Sequence, residues 1–147
     1  FVSFFWAFFW LSSSPSVELG SYWAPCNINS INAFDVPLLN TMILLSSGVT
    51  ITLMHHSIIN EDYEMSFYSL LMTILLGLYF TCLQLMEYSD ASFTISDSVF
   101  GSLFFVSTGF HGAHVLMGTI FLSVCFLRLN MLHFSSMHHV GVETSAW

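Results

Sequence analysis

The chain contains a single cation. Arg128 is its only Lys or Arg, set against nine carboxylates, and lysine is missing altogether, which leaves a net charge of −8. With no basic surface to displace counterions from phosphates, nucleic acid is excluded as a partner. Charged residues of either sign make up only 7% of the chain and the mean hydropathy is +0.76. A water-exposed domain carries several times more charge, so the composition is that of an integral membrane protein. The three cysteines, Cys26, Cys82 and Cys125, stand alone, with no C-x-x-C and no Cys/His cluster at zinc-finger spacing. Cys82 and Cys125 fall in apolar runs and read as small packing residues. A nucleophile–base motif, a glycine-rich phosphate loop and a C-x-x-C-H heme attachment are also missing.

What the chain has instead is long apolar runs. A bilayer crossing takes about 20 residues, and three segments meet that length: residues 36–59, 67–86 and 98–129. Pro37 suits the first turn of the first span, where its missing N–H costs nothing. The third span, at 1.5 Å per residue, is about 48 Å long and must tilt or protrude from a hydrocarbon core of about 30 Å. Asp97 is a reasonable N-cap for it. The opening run, Phe1 to Leu11, is too short to cross, and it lacks the basic region and small-residue cleavage site of a signal peptide. It reads as a partial span, and the chain as a piece of something longer. The expected fold is an all-α, polytopic transmembrane helix bundle forming one membrane domain over 1–147, with three full spans and one partial N-terminal span. The connections, 12–35, 60–66 and 87–97, alternate sides, and Tyr22 and Trp23 in the first are typical interface aromatics. The positive-inside rule puts the Arg128 side inward. Small residues four apart in the third span (Thr108/Gly112, Gly109/Ala113, Thr119/Ser123) form a close-approach pattern and predict that this helix lies at the centre of the bundle.

The polar groups that could carry chemistry are few. His111 and His114, three apart on one helix face, have the spacing of paired metal ligands. Two imidazoles need further ligands, however, and the adjacent His55 and His56 point about 100° apart, at the end of another span. The bland alternative is that His111 and His114 are neutral hydrogen-bonding groups that lock helix packing. Glu87 closes the second span, and a proton-relay role would need a titratable partner at depth. Arg128 complements the dipole at a helix C-terminus and, at headgroup level, matches a lipid phosphate. His133, His138 and His139 follow it.

These residues also carry a resemblance. Thr108-Gly-Phe-His-Gly-Ala-His-Val-Leu-Met-Gly-Thr-Ile-Phe-Leu-Ser-Val-Cys-Phe-Leu-Arg128 resembles the sixth membrane helix of cytochrome c oxidase subunit III. The tail His133-Phe-Ser-Ser-Met-His-His-Val-Gly-Val-Glu-Thr-Ser-Ala-Trp147 is similar to that family's approach to its last helix. So are Ser13-Ser-Ser-Pro-Ser-Val-Glu-Leu-Gly20, Val36-Pro-Leu-Leu-Asn-Thr41, Leu45-Ser-Ser-Gly48, His55-His-Ser57 and Ala91-Ser-Phe-Thr-Ile-Ser-Asp97. The resemblance implies a mitochondrial inner-membrane, multi-pass subunit of complex IV, with the Arg128 side towards the matrix. It implies a chain with no redox centre, no catalytic residue and no metal of its own, packed against subunit I and other complex IV subunits, whose hemes and copper pass electrons from cytochrome c to oxygen. It further implies structural phospholipids (cardiolipin, phosphatidylglycerol or phosphatidylethanolamine) bound at Arg128 with His133 and His138 nearby, and support for proton uptake and turnover stability. His111, His114 and Glu87 become helix-packing polar residues.

Set against the family's seven helices, the chain holds the end of the third and then the fourth to sixth. Trp10 stands where the family usually has His, and Leu53-Met54 where it has Trp-Ala. The expectation is a split subunit III completed by separate chains, or an incomplete sequence. The alternatives are the same subunit in a quinol oxidase, and a membrane metal enzyme or transporter fragment using His111 and His114. The scarcity of cations suggests synthesis inside the organelle.

Overall fold

A computed structural model of the protein describes residues 1–17, 20–25, 28, 29 and 32–146. Cys26 lies outside the described residues, as do Glu18, Leu19 and Trp147 of the segments quoted above. Among these residues five helices follow one another: α1 (Val2–Ser13), α2 (Val36–Ile59), α3 (Tyr63–Asp90), α4 (Val99–Asn130) and α5 (Val140–Ala146). The described residues contain no strand, and only an isolated bridge joins Ser135 to His138. The all-α expectation holds, and α2, α3 and α4 are each long and apolar enough to cross a membrane. At 12 residues, or about 18 Å, α1 is too short to do so.

The helix ends explain where the sequence-based boundaries hold and where they move. Helix α2 has the predicted limits, with Pro37 in its first turn. It ends in a Schellman turn: Asp62 N–H donates to Ser57 O at 2.9 Å and Glu61 N–H to Ile58 O at 3.1 Å, with Glu61 at φ 60°. Asp62 then caps α3, its Oδ1 accepting from Met65 N–H at 3.2 Å. The predicted connection over 60–66 is therefore only a tight turn, and α3 extends past 67–86 at both ends. Helix α4 closes in the same way, His133 N–H reaching Arg128 O and Leu132 N–H reaching Leu129 O, both at 3.0 Å, with Leu132 at φ 57°. At its start the expected cap is corrected. Ser98, not Asp97, caps α4, its Oγ accepting from Gly101 N–H at 3.1 Å. Asp97 is occupied one turn earlier, where its Oδ2 accepts from the Thr94 N–H at 2.7 Å. That backbone contact, aided by the Thr94 hydroxyl, holds the Asp97 carboxyl below the ordinary carboxylate range.

The chain divides into two compact units, Phe1–Ile31 with Ser89–His111 and Asn32–Tyr88 with Gly112–Trp147. The first is built on aromatic contacts. Trp23 meets Phe8 and Phe100 edge-on at centroid distances of 5.7 and 5.6 Å, and buried Phe93 meets Phe100, Phe104 and Phe105. Trp23 is thus half-buried and packed between Phe8 and Phe100, while Tyr22 is exposed.

In the second unit, α3 presents its buried residues as one stripe: Ser66, Ser69, Leu70, Thr73, Ile74, Gly77, Phe80 and Leu83. Ser69, Thr73 and Thr81 each return their hydroxyl to the carbonyl four residues earlier, so small side chains enter an apolar interface without an orphaned donor. Thr73 also meets Thr50 of α2, hydroxyl to hydroxyl at 2.8 Å. Opposite Gly77, a Cβ would come within 2.5 Å of Thr119 Cγ2 on α4. The long helix, expected at the centre of the bundle, meets this stripe through Thr119. Within the chain α3 is the most enclosed span, whereas Gly109, Gly112 and Gly118 of α4 have open space where a Cβ would go. Two apolar clusters flank the midpoint of the second unit. One is formed by Ile43, Phe80 and Leu83. The other comprises Met54, Ile58, Leu70, Ile74, Cys125, Leu129 and Val142.

Candidate functional site

The second of those clusters is the floor on which the polar end of the unit is built. Tyr63 donates its hydroxyl to Leu129 O at 3.0 Å, and Ser136 donates to Glu61 Oε1 at 2.8 Å, tying the segment after α4 to the α2–α3 turn. Seven residues are too few for an independent helix. Helix α5 is held by Val142, buried in the cluster, and by the Cys125 thiol, which meets Gly141 O at 3.4 Å.

Arg128 lies in the last turn of α4, exposed, with its guanidinium carbon 4.8 Å from the centroid of the Phe134 ring. A Cβ at Gly141 would stand 3.0 Å from Arg128 Nη1, so glycine there leaves the guanidinium its place. His133 is exposed and joined to Arg128 through the backbone bond that closes α4. His138 is exposed too, in a turn where its N–H meets the Ser135 carbonyl and hydroxyl at 3.2 and 3.1 Å. Among the described residues no hydrogen bond links these three side chains to one another.

A second group at this end was not anticipated. His139, buried, places its Nε2 3.2 Å from Nε2 of His55, near the end of α2. Glu143 of α5 brings Oε1 to 3.5 Å from the first nitrogen and 3.7 Å from the second. Nδ1 of His139 faces the Ser135 carbonyl at 3.2 Å. The only available signal was the four-residue spacing of His139 and Glu143, which places both on one helix face. The partner from α2 depends on the path of the chain between α4 and α5. His56 is exposed, in line with the divergence expected of neighbouring helical residues.

His111 and His114 are both exposed on α4, and among the described residues neither belongs to a group of three His, Cys, Asp or Glu side chains close enough to share an ion. Glu87 is half-buried on α3 and accepts a hydrogen bond from Asn40 Nδ2 on α2 at 3.2 Å. The other oxygens of this pair, Glu87 Oε1 and Asn40 Oδ1, are buried without a hydrogen-bond partner.

A sequence model of the family described as cytochrome c oxidase subunit III matches residues 1–147. The chain belongs to that family. Proteins named cytochrome c oxidase subunit 3 from Patiria pectinifera and Xenopus laevis are 58% identical to it over 147 residues, and that of Drosophila melanogaster is 57% identical. In each case the match covers all of this chain and 56% of the relative. The chain thus spans about half the length of the curated relatives it matches. Within this subunit III family chain, the sole cation sits on the Phe134 ring at the close of α4, and His55, His139 and Glu143 converge between α2 and the head of α5.

Proposed function

We propose that the chain is a non-catalytic core subunit of cytochrome c oxidase, respiratory complex IV, in the mitochondrial inner membrane. The observation that carries this reading is the match of all 147 residues to subunit III relatives at 56–58% identity. Electron transfer from cytochrome c to oxygen then belongs to hemes and copper in neighbouring chains, with this chain packed on subunit I and supporting proton uptake and turnover stability. The rest of a full-length subunit comes from further polypeptide, as separate chains or as more of this one. Arg128 faces the matrix.

The lipid-binding part of the proposal rests on Arg128. A guanidinium presents parallel N–H donors to two phosphate oxygens, and the Phe134 ring beneath it keeps the long side chain oriented. His133 and His138 supply further exposed donors at the same end of the unit. The ligand is a structural phospholipid: cardiolipin, phosphatidylglycerol or phosphatidylethanolamine.

Affinity purification of the tagged chain from its own membrane tests the assignment. A complex containing subunit I, heme and copper is expected, and an assembly without heme and copper overturns the proposal. In that complex Arg128→Gln should lower the tightly held phospholipid and leave the heme spectrum unchanged. Lipid content equal to wild type would remove the lipid-binding role.

A further inference from the structure

We infer that His55, His139 and Glu143 form a binding site for a zinc-type divalent cation, which clips α5 to the end of α2. The inference is independent of the partner chains proposed above.

The mutual distances carry the argument first. An ion with metal–nitrogen bonds of about 2.0–2.1 Å and a metal–oxygen bond of similar length, in tetrahedral geometry, spaces its ligand atoms about 3.3–3.4 Å apart. The three atoms here stand 3.2, 3.5 and 3.7 Å from one another. They come from separate elements, one from α2 and two from the head of α5, so their convergence is a product of the tertiary fold.

The chemistry of the donors points the same way. The Ser135 carbonyl facing His139 Nδ1 accepts a hydrogen bond from the Nδ1–H, which leaves Nε2 unprotonated with its lone pair aimed at the group. A backbone acceptor on the far nitrogen is the usual outer partner of a metal-bound imidazole. If His55 Nε2–H donates to His139 Nε2, Glu143 Oε1 is left facing a ring lone pair, and one N–H serves two acceptors. A cation at the centre satisfies all three together. Two imidazole nitrogens and one carboxylate favour zinc-type ions over Mg²⁺ or Ca²⁺, which prefer all-oxygen sites. A cleft of about 660 Å³, lined by Ile51, Thr52, His55, Glu143 and Ala146, opens on the group. It leaves room for a fourth ligand from solution and provides the entry path.

The test uses the full chain, purified with whatever chains accompany it and held in lipid nanodiscs. Zn²⁺ is titrated in the presence of millimolar Mg²⁺, bound metal is measured by mass spectrometry, and Co²⁺ substitution reads the geometry by its d–d absorption. Wild type should hold a Zn²⁺ that Mg²⁺ does not displace and give the intense bands of tetrahedral Co²⁺. Glu143→Gln and His55→Ala should each weaken that binding more than about tenfold, the least that loss of an outer-shell partner costs. Glu64→Gln should leave it unchanged. The two principal variants alter half-exposed or exposed side chains, so the test does not depend on replacing buried His139. Failure of wild type to bind, displacement by Mg²⁺, octahedral-type Co²⁺ bands, or undiminished affinity in Glu143→Gln and His55→Ala would each overturn the site.

Discussion

Replacing Gly77 by alanine sets two effects of opposite sign against each other. Alanine in a helix interior is favoured over glycine by about 1 kcal/mol. At this position the new methyl would lie 2.5 Å from Thr119 Cγ2. Carbon atoms pack at about 3.5–4.0 Å, so at least about 1 Å of separation is lacking. Thr119 cannot swing its methyl aside freely, because its hydroxyl is bonded to Leu116 O at 2.8 Å. Overpacking of this kind costs about 1–3 kcal/mol, which exceeds the propensity gain on average and leaves a net loss of about 1 kcal/mol. Removing the obstacle reverses the sign. In a Thr119→Ala background the nearest atom of residue 119 is its Cβ, at 3.9 Å, an ordinary contact. There Gly77→Ala should stabilise by about 1 kcal/mol, a coupling of about 2 kcal/mol between the two sites. Equilibrium unfolding of the four variants in bicelles by added SDS, followed by helical circular dichroism, measures both terms. If Gly77→Ala shifted stability in the same direction in both backgrounds, the close α3–α4 approach would be wrong.

Two further predictions concern single hydrogen bonds. Asn40→Leu removes the Nδ2 donor that half-buried Glu87 has from α2 and should destabilise the second unit by about 1–3 kcal/mol, with much of the loss recovered on adding Glu87→Leu; unfolding midpoints indistinguishable from wild type would show that the pair contributes nothing. The Asp97 carboxyl is held below its ordinary range by the Thr94 N–H, so the turn before α4 should keep its full stability above about pH 4, the unfolded value, and lose it as pH falls through the lowered folded value. Exchange of the Thr94 amide should therefore speed up in acid relative to its neighbours, and Asp97→Asn should abolish that dependence; exchange in the wild type that does not change in this way would remove the contact.

The spans were legible because apolar length is a one-dimensional property, and α2 was located to the residue because Pro37 marks its start. The limits of α3 were not, since hydropathy falls at Tyr63, Glu64, Glu87 and Asp90 although the backbone stays helical through all of them. Hydropathy records where lipid begins, whereas the Asp62 cap decides where the helix does. The small-residue pattern on α4 does include Thr119, but the residue it meets, Gly77, lies in a row of small residues on α3, Ser69, Thr73 and Gly77, whose four-residue spacing is equally visible in the sequence. The meeting of His55 with His139 and Glu143 was out of reach, because it depends on how residues 131–139 fold back. That path is set by Leu132 in a left-handed conformation and by the bond from Ser136 to Glu61.

The open row on α4 has a consequence of its own. Glycine weakens a helix by about 1 kcal/mol relative to alanine, and at Gly109, Gly112 and Gly118 nothing else among the described residues comes within 4 Å of an added Cβ to offset that. At these three positions folding and assembly are separable traits. An alanine there leaves the isolated chain intact or firmer, so any defect it produces in a larger complex reports on the neighbour alone.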